Sequence, residues 1–328
     1  MKLFKRYKAI VYLPNLYGVF QYLLLESSEK NDTLFFIHSK FPAKVSSRMK
    51  NTVYVCNAPV KKHLFSLLKI HYYALIYRNI PVFLGGDLVY SDLFLSRFKN
   101  IFYMEDGVGS YVLVNNGAKQ VFHKRKSALR RFVSGDIHPK MGLADNVRKI
   151  YLTGILPLPA IIAGKVEIIN LKQLWQKKTP VQQQEIKRLF IPPDFDCRRM
   201  NEYEVLLLTQ PFSEQSDGHF SEEEKIEVYR KLLKGIDKSK VIIKPHPVET
   251  TDYRHYFPNI FVLDICCPFE LLLFLGFNVK NAISVSSTAI FNLDNSIGKT
   301  ISGHDVTPAL AAETKRRGIY TIKLKTLL

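Results

Sequence analysis

The stretch Val241–Pro247, with the sequence VIIKPHP, decides the fold. Three branched apolar residues in succession predict a buried β-strand, and the prolines that follow end it abruptly. Lys244 and His246 are therefore expected at the C-terminal end of a strand. In an open α/β sheet, that edge is where ligands bind.

Short apolar runs alternate with helical patterns on both sides of this stretch. Strands are predicted at 9–13, 33–38, 52–56, 81–84, 100–104, 204–209, 240–244, 260–264, 282–285, 300–302 and 320–323. Helices are predicted up to about residue 25 and at 61–77, 90–98, 172–178, 180–188, 221–233, 268–275, 286–293 and 308–316. This order predicts an α/β protein with two Rossmann-like domains facing each other across a cleft. We place the N-terminal domain at 1–165, a linker region at 166–200 and the C-terminal domain at 201–328.

Composition limits the class of protein and its partners. The 328 residues are 47% hydrophobic, enough for two cores, and carry a formal net charge of +18. Such a charge predicts an anionic partner: nucleic acid, an anionic membrane surface or a phosphorylated substrate. The four cysteines lack metal-ligand spacing, which favours a reduced, cytoplasmic protein. We find no signal peptide pattern and no apolar run long enough to span a membrane.

Four polar features follow predicted strands or begin predicted helices. They are Glu105-Asp106-Gly107, the Lys244-Pro245-His246-Pro247 segment, Pro268-Phe269-Glu270, and Ser286-Ser287-Thr288. Each has an ordinary structural explanation as a turn, a cap or a favourable helix-dipole contact. Each also has a functional one: a general base beside a glycine that admits substrate, an immobilised histidine, and hydroxyls that bind phosphate. The four together, in this order, favour function.

In that order the four features resemble those of bacterial sialyltransferases, and the chain most resembles glycosyltransferase family 52, which includes lipooligosaccharide and capsule sialyltransferases. The resemblance covers roughly residues 100 to 295. It implies a GT-B fold with an acceptor-side N-terminal domain and a C-terminal domain that binds the nucleotide sugar. It also implies inverting transfer from CMP-sialic acid, with no metal and no cofactor.

When the functional positions of the family's motifs are matched to this sequence, the resemblance implies that Asp106 is the base. It also implies that His246 is the acid that assists departure of CMP. A histidine near its ordinary pKa could be protonated in the complex. The donor-binding positions would be Gly107, Lys244, Pro247, Glu270, Ser286, Ser287 and Thr288. Glu214, in the loop after the strand at 204–209, is the second candidate for the base. Asp194-Phe195-Asp196 has the spacing of metal-dependent transferases, but no strand leads into it and we expect no metal there.

The sequence thus predicts a sialyltransferase at the cytoplasmic face of the cell membrane. Its acceptor would be a lipid-linked glycan ending in galactose, and its positive charge would attract the anionic leaflet. The resemblance permits a homodimer. Two rivals remain. One is a transferase of the same fold with another nucleotide sugar. The other is a basic nucleic-acid-binding protein, and the absence of a nucleic-acid recognition motif from the sequence argues against it. The basic cluster at 123–126 and 130–131, continued by Lys140, Arg148 and Lys149, predicts either a solvated helix face or an anion-binding surface.

Overall fold

A computed structural model describes residues 6–25, 32–114 and 127–317 of the chain. Its contacts divide the chain into two compact units, Met1–Leu189 and Phe190–Leu328. The division lies inside the segment 166–200, for which the sequence predicted a linker region. Each unit has its own parallel sheet and hydrophobic core.

The first unit alternates strands with helices. Its described strands are β1 (Ala9–Tyr12), β2 (Thr33–His38), β3 (Thr52–Val55), β4 (Pro81–Gly85), β5 (Asn100–Met104), β6 (Val147–Leu152) and β7 (Val166–Ile168). Its helices are α1 (Leu16–Leu25), α2 (Ala43–Ser46), α3 (Val60–Tyr77), α4 (Ser91–Arg97), α5 (Gly109–Val112), α6 (Ala128–Ser134), α7 (Leu171–Lys177) and α8 (Pro180–Phe190). A 3₁₀ turn at Ala160–Lys165 precedes β7.

These strands form a parallel sheet in the order β3-β2-β1-β4-β5-β6-β7. All four residues of β1 are buried, as its central position requires. In the register, Tyr12 is opposite Leu84, and Gly85 is opposite Met104. The C-terminal ends of β1, β4 and β5 therefore meet at one edge, where the direction of the strand order reverses.

The second unit repeats the pattern. Its described strands are β8 (Val205–Leu208), β9 (Val241–Lys244), β10 (Phe261–Val262), β11 (Asn281–Ser284) and β12 (Gly298–Ile301). Its helices are α9 (Glu222–Leu232), α10 (Tyr253–Tyr256), α11 (Phe269–Phe274) and α12 (Pro308–Arg316), with 3₁₀ turns at Cys197–Glu202, Lys238–Lys240 and Thr288–Asn292. Ser221 and Glu224 form the predicted capping box of α9.

The five strands are parallel, in the order β10-β9-β8-β11-β12. Leu208, the last residue of β8, is opposite Lys244 on one side and Ser284 on the other. The predicted α/β class with two parallel sheets is confirmed. The stretch VIIKPHP does end a fully buried strand at the C-terminal edge of its sheet.

The sequence analysis missed two strands and predicted one helix wrongly. Strands β6 and β7 were missed, because Arg148 and Lys149 gave β6 the appearance of a polar helix face although Val147, Ile150 and Leu152 are buried. Where a helix is predicted at 286–293, the structure has a 3₁₀ turn of five residues, Thr288–Asn292. The strand predicted at 300–302 is present, with the bounds Gly298–Ile301.

Two predictions lie outside the described residues: the basic run at 123–126 and the strand at 320–323. Within the described residues, Lys140 of the same basic cluster is a structural cation, 2.8 Å from Asp92 and 3.1 Å from Asp87. Among the helices described, none combines the length and the apolar composition that crossing a bilayer requires.

Gln21 provides a test of the core of the first unit. This α1 side chain is fully buried, and neither amide atom has a hydrogen-bond partner among the described residues. We expect Gln21→Met to raise the free energy of unfolding by about 1 kcal/mol in urea denaturation, because it removes a buried polar group without a partner. Gln183→Met is the matched control and should lose stability, because Gln183 Nε2 donates to the Trp175 carbonyl at 2.9 Å. A less stable Gln21→Met protein would contradict the prediction.

Candidate active site

Asp106 lies just beyond the C-terminal end of β5, at the edge where β1, β4 and β5 end. Asn15, which follows β1, donates from Nδ2 to Asp106 Oδ1 at 2.6 Å. The backbone N–H of Asp106 donates to Ser110 Oγ at 2.7 Å, and Gly107 adopts a positive φ of 56°. Asn15 thus holds the Asp106 carboxylate, and Ser110 holds its backbone.

The neighbouring carboxylate, Glu105, has a different environment. It is almost fully buried and accepts hydrogen bonds from the Tyr17 and Tyr111 hydroxyls, at 3.0 and 2.7 Å. It also accepts from both the backbone N–H and the hydroxyl of Thr153, after β6. The Glu105 carboxylate thus accepts hydrogen bonds from four donors. Because two of them belong to Thr153, Glu105 links the end of β5 to the end of β6. Among the described residues, one side chain, that of Asn15, donates to the Asp106 carboxylate.

Burial raises the pKa of the Asp106 carboxyl, and the hydrogen bond from Asn15 opposes that shift. A carboxylate with a raised pKa binds a proton more readily than an ordinary one, as a general base must. Gly86, at the end of β4, lets the carboxylate come this close. A Cβ atom on Gly86 would lie 2.6 Å from Asp106 Oδ2.

In the second unit, Lys244 and His246 occupy the C-terminal edge of the sheet. Lys244 is buried at the end of β9, and His246 is partly buried in the loop that follows. His246 Nδ1 accepts the Val248 N–H at 3.4 Å. This bond favours the tautomer in which Nε2 carries the proton.

The expectation of an ordinary histidine pKa was wrong. Burial, and then the nearby charge of Lys244, lower the pKa of His246 to about 4, although Glu214 opposes the shift. The imidazole is therefore neutral at pH 7 in the protein by itself. An anion bound beside it would raise that pKa.

Glu249 fixes the loop and was missed by the sequence analysis. Its buried carboxylate accepts the His246 N–H and the Tyr253 hydroxyl, each at 2.6 Å, and also the Thr209 hydroxyl. Lys225, whose side chain is fully buried on α9, lies 3.5 Å away. A carboxylate three residues after the histidine, in the sequence HPVE, was the available signal.

Glu214, the second candidate for the base, belongs to the same network. Lys225 Nζ lies 2.8 Å from both of its carboxylate oxygens, and the Thr250 N–H donates to it at 2.9 Å. Burial acts to raise the pKa of Glu214, but the bonds from Lys225 and Thr250 outweigh it and the net pKa is lowered. Removing this carboxylate would leave a buried lysine with a poorer partner, so Glu214 has a structural role whether or not it touches substrate.

The remaining predicted donor-binding residues lie around the same sheet. Glu270 is buried in the first turn of α11 and accepts from Asn292 Nδ2 at 2.6 Å. Ser286 Oγ bonds to His304 Nε2 at 2.8 Å, and the Ser287 N–H donates to Ser284 Oγ at 2.9 Å. Ser287 caps only the short 3₁₀ turn that begins at Thr288, without a side-chain bond. The expected phosphate site at a helix start is therefore a loop of hydroxyls beside a histidine.

His304 is a second residue that sequence analysis missed. It follows β12, and its Nδ1 is buried without a hydrogen-bond partner among the described residues. The Gly303-His304-Asp305 sequence after the predicted strand at 300–302 was the available signal. The second unit thus gathers Lys244, His246 and the serines at the C-terminal ends of β9 and β11. Asp106 belongs to the first unit.

Asp194-Phe195-Asp196 has a local role. Asp196 Oδ1 accepts the Arg198 N–H at 3.1 Å and caps the 3₁₀ turn at Cys197–Glu202. Among the described residues, no group of three or more His, Cys, Asp or Glu side chains is arranged to hold a metal ion.

Comparison with known sequences identifies a family and a relative. The model of Glycosyltransferase family 52 matches residues 27–302. An uncharacterised protein of Haemophilus influenzae is 33% identical over 297 residues, which span 87% of this chain and 91% of that protein.

Comparison with solved structures finds the same fold in bacterial sialyltransferases. An α/β-galactoside α-2,3-sialyltransferase from Photobacterium phosphoreum has a TM-score of 0.55 and 13% identity, covering 96% of this chain and 97% of that one. The GT-B domain of a Photobacterium damselae sialyltransferase has a TM-score of 0.55, 13% identity and coverage of 95% and 97%. A Photobacterium 2,6-sialyltransferase, solved with CMP and lactose, has a TM-score of 0.57, 15% identity and coverage of 95% and 76%. The predicted GT-B fold class is confirmed.

Gly86→Ala tests the fixed position of Asp106. Gly86 has a φ of +63°, and Gly235 has a φ of +78° with open space around it. Alanine should cost about 1 kcal/mol at either position, because both are in the left-handed region. Only Gly86→Ala should also displace the Asp106 carboxylate and lower turnover, by about tenfold or more. Thermal unfolding and steady-state kinetics compare the two variants, and equal activities would show that the close contact is unimportant.

The pKa of His246 predicts a pH dependence of stability. The unfolded imidazole titrates near 6.5 and the native one at about 4, so the native state disfavours protonation. The neutral His246 therefore adds to the free energy of unfolding. This stabilisation is complete above pH 6.5, and it is lost as the pH falls toward 4. The wild-type protein should therefore lose up to ~3 kcal/mol over this range relative to His246→Gln. Urea denaturation at several pH values measures the difference, with the exposed His255→Gln as control. Parallel pH profiles for wild type and His246→Gln would refute a lowered pKa.

Proposed function

Because the chain belongs to glycosyltransferase family 52, we propose that it is an inverting sialyltransferase. It would move sialic acid from CMP-sialic acid to a terminal sugar, in our expectation galactose, of a bacterial capsular or lipooligosaccharide glycan. The observation that carries the proposal is the immobilised His246 beside a buried lysine at the C-terminal edge of a Rossmann-type sheet. That edge is the usual nucleotide site of such sheets.

Positive and hydrogen-bonding groups in the second unit support the assignment of the donor. Lys244 and the hydroxyls of Ser286, Ser287 and Thr288 suit the phosphate and cytosine of CMP, and Glu270 suits the ribose hydroxyls. Gly107 and Pro247 complete the set proposed to contact the donor. The 2,6-sialyltransferase of the same fold was solved with CMP and lactose, a nucleotide and a galactoside of the proposed kinds.

In the proposed reaction, His246 assists the leaving group. The anionic phosphate of the donor raises the pKa of His246 from its low value, so that the imidazole becomes protonated in the complex. As the bond between the sugar and the phosphate oxygen breaks, the electron pair moves to that oxygen and His246 Nε2 donates a proton to it. The second proton of the imidazolium lies on Nδ1, which can then no longer accept the Val248 N–H, so that bond would open in the complex.

Asp106 is the proposed base on the acceptor side. It would take the proton of the acceptor hydroxyl as that oxygen attacks the anomeric carbon, which inverts the configuration. Its pKa is raised by burial, whereas Glu214 has a lowered pKa and is held by Lys225. We therefore place Asp106 first and Glu214 second. Because His246 and Lys244 supply positive charge at the phosphate, we propose turnover without a metal ion or cofactor.

We place the enzyme at the cytoplasmic face of the membrane, where lipid-linked glycans are assembled, and retain a homodimer as its proposed assembly.

The alternative within the same fold is transfer from another nucleotide sugar. The donor assay separates these two. We expect release of CMP from CMP-sialic acid, faster with lactose present, and no comparable release of UDP from UDP-sugars. Rapid use of a UDP-sugar instead would overturn the choice of donor.

Conservative variants test the two catalytic roles. Asp106→Asn keeps an oxygen for Asn15 to bind, and His246→Gln keeps a polar side chain, so both proteins should fold. Each should lower kcat by about a hundredfold or more, since general acid–base groups contribute about 10²–10⁴-fold. Glu214→Gln should lose thermal stability more than turnover, and the exposed Glu227→Gln is the control for a lost carboxylate. Near-normal turnover in Asp106→Asn, with a large loss in stable Glu214→Gln, would transfer the role of base to Glu214.

A further inference from the structure

Helix α3 of the first unit exposes an apolar face. Leu68 and Leu75 are 63% and 86% exposed, although they lie on an 18-residue helix whose other side packs on the sheet. Six exposed side chains follow helical spacing and form what we call the α3 face: Leu64, Phe65, Leu68, Tyr72, Leu75 and Ile76. An apolar area of this kind on a soluble domain marks an interaction surface.

The α3 face continues into a groove beside the short helix α6. The groove has a volume of about 810 Å³, and its lining includes Leu64, Leu68 and Leu75 of α3 together with Phe132 of α6. Phe132 is itself 69% exposed. The apolar surface therefore extends across two helices rather than along one.

A hydrogen-bonded cluster holds α6 in place beside α3. Arg97 Nε donates to His71 Nδ1 at 3.3 Å, and His71 Nε2 donates to the Val133 carbonyl at 2.9 Å. Arg97 also donates to the Phe132 carbonyl and lies 5.5 Å from the centre of its ring. The groove thus has fixed walls, which suits a preformed docking surface.

Basic residues surround the apolar surface. Neither α3 nor α6 contains an aspartate or glutamate. Exposed cations on or next to the two helices are Lys61, Lys62, Lys69, Arg78, Arg130 and Arg131. Arg131 has an exposed carboxylate, that of Asp136, at 3.9 Å, a weak pair at such exposure. The surface therefore combines exposed hydrophobic side chains with a positive rim.

We propose that the α3 face and the groove dock the protein on an anionic lipid bilayer. Apolar side chains would enter the boundary between headgroups and acyl chains while the cations contact anionic headgroups, as in interfacial amphipathic helices. A second copy of the chain is a poorer occupant, since two such faces would bring like charges together. The segment 115–126 is also a poorer one, because its sequence adds Lys119, Lys124, Arg125 and Lys126 to a surface that is already positive. The docking does not depend on which sugar the chain transfers.

Vesicle sedimentation of the full-length protein tests the proposal. With phosphatidylglycerol-containing vesicles we expect salt-sensitive binding, and with pure phosphatidylcholine at least tenfold weaker binding. Leu68→Ser/Leu75→Ser should weaken binding to the anionic vesicles tenfold or more. Lys61→Gln/Lys62→Gln should weaken it by about tenfold or more, since each surface cation is worth about 1 kcal/mol.

Matched variants change the same residue types elsewhere on the surface. Ile161→Ser/Val181→Ser removes two exposed apolar side chains, and Lys231→Gln/Lys234→Gln removes two exposed charges of the second unit. Both proteins should bind vesicles as the wild type does. Equal loss in the control and the α3 variants, or equal binding to neutral and anionic vesicles, would overturn the proposal.

Two further measurements separate the other occupants and the enzymatic function. If Leu68→Ser/Leu75→Ser converts a dimer to a monomer by light scattering and leaves vesicle binding unchanged, the face is a subunit interface and the proposal is wrong. Transfer to soluble lactose should be equal in the wild type and this variant. Vesicle binding is measured without donor or acceptor, so a failure of sialyl transfer would leave its result intact.

Discussion

The hydrogen bonds of the buried Glu249 carboxylate are the interaction on which the C-terminal edge of the second sheet depends. It binds the hydroxyl of Thr209 after β8, the backbone of His246 after β9 and the hydroxyl of Tyr253 on α10. Three separate segments thus converge on one side chain, and Lys225 provides the opposite charge nearby. A buried charge is tolerated only with such complete hydrogen bonding. The position of the histidine is a consequence of that requirement rather than of its flanking prolines alone.

The two carboxylates that follow β5 illustrate how environment separates roles. Glu105 and Asp106 are adjacent in sequence, and burial raises the pKa of each. Glu105 is surrounded by hydroxyl and amide donors that join β5 to β6, whereas Asp106 receives one side-chain bond from Asn15. The first contributes to the architecture, and the second has fewer hydrogen-bond partners among the described residues. Two acidic residues that are adjacent in the sequence therefore have different environments, because their side chains meet different neighbours.

Much of this organisation could be predicted from the sequence, because buried parallel strands are nearly continuous apolar runs. The strands around Val241–Lys244 and the capping box at Ser221 follow from local pattern alone. Strand β6 could not be recognised, since Arg148 and Lys149 interrupt its apolar residues and its burial depends on neighbours distant in sequence. Contacts such as Glu214 with Lys225, and the lowered pKa of His246, also arise only from tertiary packing. Residue types at strand ends were predictable, but their partners and protonation were not.

Asn15 performs two tasks with the two ends of one amide. Its oxygen accepts the Gly18 N–H at the start of α1, and its nitrogen donates to Asp106. An aspartate there would still supply an oxygen to the helix, but it would place a second negative group against the first. The start of α1 and the orientation of Asp106 are therefore separable at this position. A homologous chain with aspartate in place of Asn15 could keep the same fold and still lack the hydrogen bond that orients the carboxylate after β5. A comparison of backbone shape alone would not distinguish such a chain from this one.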